Sequence, residues 1–139
     1  MKVYLDTSVI LRFLLNQPGC IPDWGQWAEA ATSEVTRAEA MRKGDQLRLQ
    51  GVFQDEEVAA YTQSLDQILE RLSTIALNRV ILERASFSFP TVIGTLDAIH
   101  LATAMLWQEK IKEKIVFLTH DIRQGRAAIA LGFQVQGLA

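Results

Sequence analysis

Four acids in this chain of 139 residues stand in settings that suit chemistry: Asp6, Glu39, Asp97 and Asp121. Carboxylates gathered at one place, with no cage of cysteine or histidine, suit hard cations such as Mg²⁺ or Mn²⁺. Two such ions about 4 Å apart can activate a water and steady a leaving oxygen, which is what phosphodiester hydrolysis needs. Each acid also has a plainer reading. Asp97 and Asp121 stand near expected helix starts, where a carboxylate can satisfy free N–H groups and the helix dipole for about 1 kcal/mol. Glu39 precedes Lys43 by four residues, the favourable order for a surface ion pair. Asp6 resists such an account, because it ends the apolar run Val3–Leu5, where an unpaired charge would be costly.

Six cations lie near these acids in sequence: Arg12, Arg37, Arg42, Lys43, Arg123 and Arg126. Arg12, Arg37 and Arg123 are taken as the foremost candidates for substrate phosphates, although any one alone reads as solvated surface charge. The two histidines are poor metal ligands. His100, one turn after Asp97, reads as a packed residue with local hydrogen bonds, and His120 as a residue that touches substrate or does nothing. Trp24, Trp27 and Trp107 read as core or interface anchors.

The elements that must position these groups follow from periodicity. Val3–Leu5 reads as a strand and Ser8–Leu15 as a helix closed by the loop Asn16–Gly19. Residues 24–31 are ambiguous, with a short strand expected near Ala30–Ser33. A helix is expected from Thr36 to Gln50 with Gly51 as its stop, and another from an Asp55 cap to Leu72. Ser73–Leu77 reads as a strand, and Asn78 caps a helix to Ala85. Thr95–Trp107 is a strongly apolar helix, Ile115–Leu118 a buried strand, and a helix to Leu131 precedes a last strand, Phe133–Val135. Strands alternating with helices imply a three-layer α/β/α fold with a central parallel sheet of four or five strands. Ligands of such sheets bind beyond the carboxyl ends of the strands, where Asp6 and Asp121 fall.

The bulk numbers bound the rest. One domain over residues 1–139 is expected, with 49% apolar and 22% charged residues. A single cysteine, Cys20, allows no internal disulfide, which suits a reducing cytoplasm. No apolar run approaches the ~18–20 residues of a membrane span, and the N-terminus does not read as a signal peptide. Net charge is −2 and the four acids supply −4, so the remainder carries +2. Metal bound at those acids would leave a mildly basic surface, and charge neither supports nor excludes a nucleic acid.

A resemblance now enters. Val3-Tyr4-Leu5-Asp6-Thr7-Ser8, Thr36-Arg37-Ala38-Glu39, Thr95 through Ala102 and Leu118-Thr119-His120-Asp121, in that order, resemble the PIN domain family. The nearest branch is the VapC-type toxin ribonucleases of bacterial toxin–antitoxin pairs, and the likeness runs from Met1 to Val135. It implies that Asp6, Glu39, Asp97 and Asp121 are catalytic and bind Mg²⁺ or Mn²⁺, with Ser8 and Thr119 as supporting hydroxyls. It implies an RNA substrate, a small antitoxin partner and a homodimer. A groove near the helix bearing Val58, Tyr61, Leu65, Ile68, Leu69 and Leu72 would accept an apolar antitoxin segment; the usual fate of such a stripe is to pack on its own sheet. Two positions depart from the pattern: Gly94 stands where arginine is frequent, and His120 where an aromatic residue is commoner.

Other classes fit less well. An aspartate-nucleophile phosphotransferase wants a second acid where Ser8 sits, and a receiver domain wants an acid pair and a lysine that are lacking. The remaining alternative is a non-catalytic PIN-like scaffold that binds RNA or a protein, against which the mutual repulsion of four retained acids argues.

Overall fold

The computed structural model describes residues 1–138. Among these residues five strands and six helices follow in the order β1 Lys2–Leu5, α1 Thr7–Leu14, β2 Glu29–Ser33, α2 Val35–Leu49, α3 Asp55–Glu70, β3 Ser73–Ile75, α4 Arg79–Ala85, α5 Thr95–Ile111, β4 Val116–Leu118, α6 Ile122–Ala130 and β5 Gln134–Gln136, with a pair of helices in two of the four connections. All strand pairs are parallel and the order is β3-β2-β1-β4-β5. The chain winds outward from β1 to β3, then crosses to the other side and winds from β4 to β5. The direction of winding therefore reverses between β1 and β4, and the crevice at their carboxyl ends is where an open α/β sheet binds ligands.

β1 is buried on both faces, as the centre of such a sheet requires. Tyr4 points into one core with Phe117, Leu101, Ala104, Trp107 and the small residues Ala127 and Ala128. Val3 and Leu5 point into the other, with Val9, Ile10, Ala40, Leu65 and Leu118. Helices α5 and α6 thus cover one face and α1, α2 and α3 the other. The α3 stripe faces the protein's own interior: Tyr61 packs on α2, its hydroxyl donating to the Ala40 carbonyl at 2.6 Å, and Leu65 is buried in the second core with Ile68, Leu69 and Leu72 against it.

Several boundaries differ from the periodicity. Gln54, not Asp55, caps α3; its side chain and that of Glu57 satisfy each other's backbone N–H groups in a capping box, and Asp55 is the first helical residue. Residues 22–25 form turns, with Asp23 at φ 54°, so the stretch with two tryptophans is neither helix nor strand until Glu29. The last strand begins one residue later than expected, at Gln134. Helix α5 runs on to Ile111, where Lys112 takes a left-handed cap at φ 56°. Among the described residues no helix is long and apolar enough to cross a membrane.

Candidate active site

The end of β1 delivers Asp6 to the switch point. Its backbone is extended, so the chain turns there into α1, and the Asp6 carboxylate accepts from the Ser8 N–H as the N-cap of that helix. The end of β4 delivers Asp121 in the same way, as the N-cap of α6 accepting from the Gln124 N–H at 3.1 Å. Both acids therefore cap a helix and face the crevice at once. Asp97 behaves differently. Helix α5 opens at Gly94 without a side-chain capping bond, so Asp97, in its first turn, is not the cap. Glu39 comes from one turn inside α2. One cleft is lined by all four acids together with Thr7, Ser8, Leu11, Arg42 and Lys43, and it continues along α2 past Gln46, Leu49 and Gln50.

A buried polar network underlies the cleft. His100 is 1% exposed, and its Nε2 lies 2.7 Å from Glu39 Oε1 and 3.6 Å from Asp6 Oδ1. A carboxylate only accepts, so Nε2 carries the hydrogen, and Nδ1 meets the Tyr4 hydroxyl at 2.7 Å. Thr7 donates to Glu39 at 2.7 Å. The Thr36 hydroxyl lies 2.8 Å from that of Thr32, which donates to the Leu5 carbonyl. Burial alone lowers the pKa of His100, but the Glu39 hydrogen bond and the charges of Asp6, Glu39 and Asp97 outweigh it and raise it. Burial pushes Glu39 the other way from its final position; the His100 bond, the His100 charge and Thr7 bring its pKa below the ordinary carboxylate value. Asp97 gains only partial relief, from the charge of His100. Burial first, then the charges of Asp121 and Asp6, push its pKa up to about 6. Burial and the opposing charges of neighbouring carboxylates act in the same direction here.

Four of the expected groups, Asp6, Glu39, Asp97 and Asp121, therefore share one cleft with Ser8. Thr119 lies beneath it, fully buried, donating to Asp6 at 3.2 Å. The cations are distributed otherwise than expected. Arg12 reaches the Gly19 carbonyl, Arg37 pairs with Asp66 on the surface, and Arg123 lines a separate apolar depression with Val92 and Arg126. Arg42 and Lys43 are the cations that line the acidic cleft. The Glu39–Lys43 pairing gives way to Glu39–His100, because α2 turns Glu39 inward. His100 is packed as expected, but its partners are Tyr4, Thr7 and Glu39, far off in sequence. Sequence reasoning passed over Tyr4, Thr7 and Gln124; Tyr4 and Thr7 are polar groups in or beside apolar runs, which was the available signal, whereas Gln124 stands between Arg123 and Arg126 and gave none.

The two departures also have structural consequences. A side chain at Gly94 would meet open space, so arginine could stand there without moving the backbone. His120 Nδ1 donates to the Gly137 carbonyl at 2.7 Å, while its backbone N–H donates to Ser8 Oγ. Gly137 has φ 108°, and a Cβ there would sit 2.5 Å from the Thr119 carbonyl oxygen, so only glycine allows this closure.

The donor set is all oxygen and open on one side, and Asp97 carries the strain of three neighbouring negative charges. Among the described residues no group of three or more His, Cys, Asp or Glu side chains forms a ready cage for a metal ion. An open, oxygen-lined cleft suits Mg²⁺, which keeps several waters and takes only one or two carboxylates directly.

Comparison with known proteins finds relatives across almost the whole chain. Ribonuclease VapC47 of Mycobacterium tuberculosis (strain CDC 1551 / Oshkosh) is 29% identical over 144 residues, covering 94% of this chain and 93% of that protein. FitAcB from Neisseria gonorrhoeae superposes with a TM-score of 0.69 at 20% identity, over 96% of this chain and 95% of its own. VapBC-1 from nontypeable Haemophilus influenzae does so with 0.62 at 17% identity, over 98% and 97%. A toxin–antitoxin complex from Klebsiella pneumoniae gives 0.66 at 17% identity, covering 97% of each chain. These likenesses carry the fold, and the PIN domain model matches residues 3–130. The chain belongs to the PIN domain family.

Proposed function

We propose that this protein is an endoribonuclease that hydrolyses RNA phosphodiester bonds with Mg²⁺ or Mn²⁺, acting as the toxin of a toxin–antitoxin pair. One observation carries the reading. Four acids, drawn from four separate elements, line a single cleft at the switch point of the sheet, and Asp97 is pushed up to about 6 by burial and by the others. Capping accounts for Asp6 and Asp121 one at a time, but a helix cap does not require four mutually repelling charges to share one cleft.

Asp6, Glu39, Asp97 and Asp121 would hold the divalent ions, which supply an activated water and neutralise charge on the leaving oxygen. The chain's own groups do the rest. Ser8 and Thr119 hold the Asp6 carboxylate, and His100 and Thr7 hold that of Glu39. Arg42 and Lys43 stand at the cleft wall, where they can take phosphates flanking the reacting one. The similarity to a VapC ribonuclease supports RNA as substrate. The resemblance to toxin–antitoxin complexes supports an antitoxin partner, and a groove between α1 and α3 offers it a seat. Phe13, Trp24, Trp27, Ile68 and Leu72 line that groove. A homodimer belongs to the same reading.

The test is hydrolysis of single-stranded or loop RNA in Mg²⁺ or Mn²⁺, expected to vanish with EDTA and in Asp97→Asn. Cutting that survives both treatments, in material free of contaminating nuclease, overturns the reading. Light scattering at tens of micromolar tests the dimer, and copurification of a small basic protein tests the partner.

A further inference from the structure

Gln124 lies in the first turn of α6 and is fully buried, although it belongs to none of the four acidic motifs. An uncharged amide sealed in a protein must find partners for its donors and acceptor, and where those partners are identifies its task. The Gln124 backbone N–H donates to Asp121 Oδ1 at 3.1 Å. Its side chain faces the Asp6 carboxylate, which can only accept, so the amide nitrogen must be the group turned toward it. In that orientation the nitrogen is 3.1 Å from Asp6 Oδ1, 3.1 Å from Oδ2 and 2.9 Å from Thr119 Oγ1. One residue thus grips two of the cleft acids, Asp121 by its backbone and Asp6 by its side chain.

The remaining donors on Asp6 sharpen the point. Oδ2 receives Ser8 N–H at 3.1 Å, Ser8 Oγ at 2.5 Å and Thr119 Oγ1 at 3.2 Å. Oδ1 meets the Gln124 amide, with His100 Nε2 farther off at 3.6 Å. Oδ2 is saturated while Oδ1 keeps free acceptor capacity on a carboxylate that lines the cleft. The amide, touching both oxygens, sets the rotation of the carboxylate plane.

We infer that Gln124 is the positioning residue for the Asp6–Asp121 pair, fixing the rotation of the Asp6 carboxylate and its separation from Asp121 so that both can serve one divalent cation. This inference rests on the proposed cation-dependent function. Residues that orient a metal's ligands from behind typically change affinity by about 10–100-fold when removed.

The experiment compares wild type with Gln124→Met, which keeps length and volume but loses the amide. Binding of Mn²⁺ is followed by calorimetry on the protein without RNA, and RNA hydrolysis is followed against Mn²⁺ concentration. The expected result is a rise of about tenfold in both the Mn²⁺ dissociation constant and the half-saturating Mn²⁺, with maximal rate at saturating Mn²⁺ changed far less. Unchanged Mn²⁺ affinity in a folded Gln124→Met overturns the inference, whatever that variant's melting temperature, because a merely structural glutamine would alter stability alone. If wild type binds no Mn²⁺, the cation reading of the cleft falls and this inference with it; if wild type binds and the variant binds equally, only the role of Gln124 falls. Should Gln124→Met fail to fold, NMR of wild type decides. The Gln124 side-chain amide pair should shift as Mg²⁺ is added, and a pair indifferent to saturating Mg²⁺ overturns the inference.

Discussion

The acidic cleft and the aromatic groove lie on different sides of α1 and obey opposite rules. In the cleft, polar groups are buried: His100, Thr36, Thr119 and Gln124 are almost sealed from solvent, and each has hydrogen-bond partners. In the groove, apolar groups are open. Phe13 stacks on Trp24 with ring centroids 4.0 Å apart, Trp24 meets Trp27 edge-on, and all three keep part of their surface in solvent. Buried polar groups are stable only when geometry is held closely, because an unpaired one costs the full desolvation penalty. Exposed aromatics demand no such precision and can accept a partner's apolar side chains. The cleft seals polar groups among partners, and the groove leaves apolar surface open to solvent.

The largest effect that separates the two regions is on catalysis. Asp97→Asn should lower RNA hydrolysis by two to three orders of magnitude, the scale on which loss of one transition-state charge contact acts. Trp24→Ala should leave the rate within about twofold, because its ring lies outside the cleft. Equal losses in both variants would erase the distinction.

Next comes stability. His100→Leu removes a partner of Glu39 and of the Tyr4 hydroxyl, leaving the hydroxyl in the core and the carboxylate part-buried at the cleft with Thr7 alone. The expected cost is about 3 kcal/mol in urea unfolding. Trp24→Ala, at a half-buried site, should cost only about 1–2 kcal/mol. A His100→Leu variant as stable as wild type would show that the network contributes little.

The smallest effect is the most specific. Asp97 has a pKa of about 6 in the folded chain against an ordinary 3.8, so the folded state holds its proton more tightly. Its contribution is fully present below pH 3.8 and is lost as pH rises through about 6. In EDTA, wild type should lose about 1 kcal/mol relative to Asp97→Asn between pH 4 and pH 7, after allowance for solvent screening at this half-exposed group. Millimolar Mg²⁺ at pH 7 should raise the melting temperature of wild type and barely that of Asp97→Asn, while Asp55→Asn, far from the cleft, should respond like wild type. Identical metal responses in wild type and Asp97→Asn at matched ionic strength would remove Asp97 from the site.

Much of this was legible in residue order. The apolar runs around Tyr4 and Phe117 mark central strands, because a strand covered on both faces must be apolar on both. Asp6 ending one such run could be singled out, since burying a charge needs a compensating cause. The small residues of α5 announce close packing whatever they pack on. Local chemistry is also enough for turns such as Asn16–Gly19 and for the Asn78 cap, whose side chain accepts from the Ile81 N–H.

Tertiary structure alone decided which groups meet. Glu39 and Lys43 satisfy the spacing of a surface pair, yet 61 residues separate Glu39 from the His100 that it bonds. Likewise, nothing in the α6 sequence says that Gln124 reaches Asp6 across the crevice. Periodicity records which face of an element is buried, but not what lies opposite, because that depends on the winding order of the strands. Arg42 and Lys43 line the acids and Arg37 does not for the same reason: residues of one helix diverge by about 100° per position, and only the docking of α2 beside β1 settles which of them turn toward the cleft.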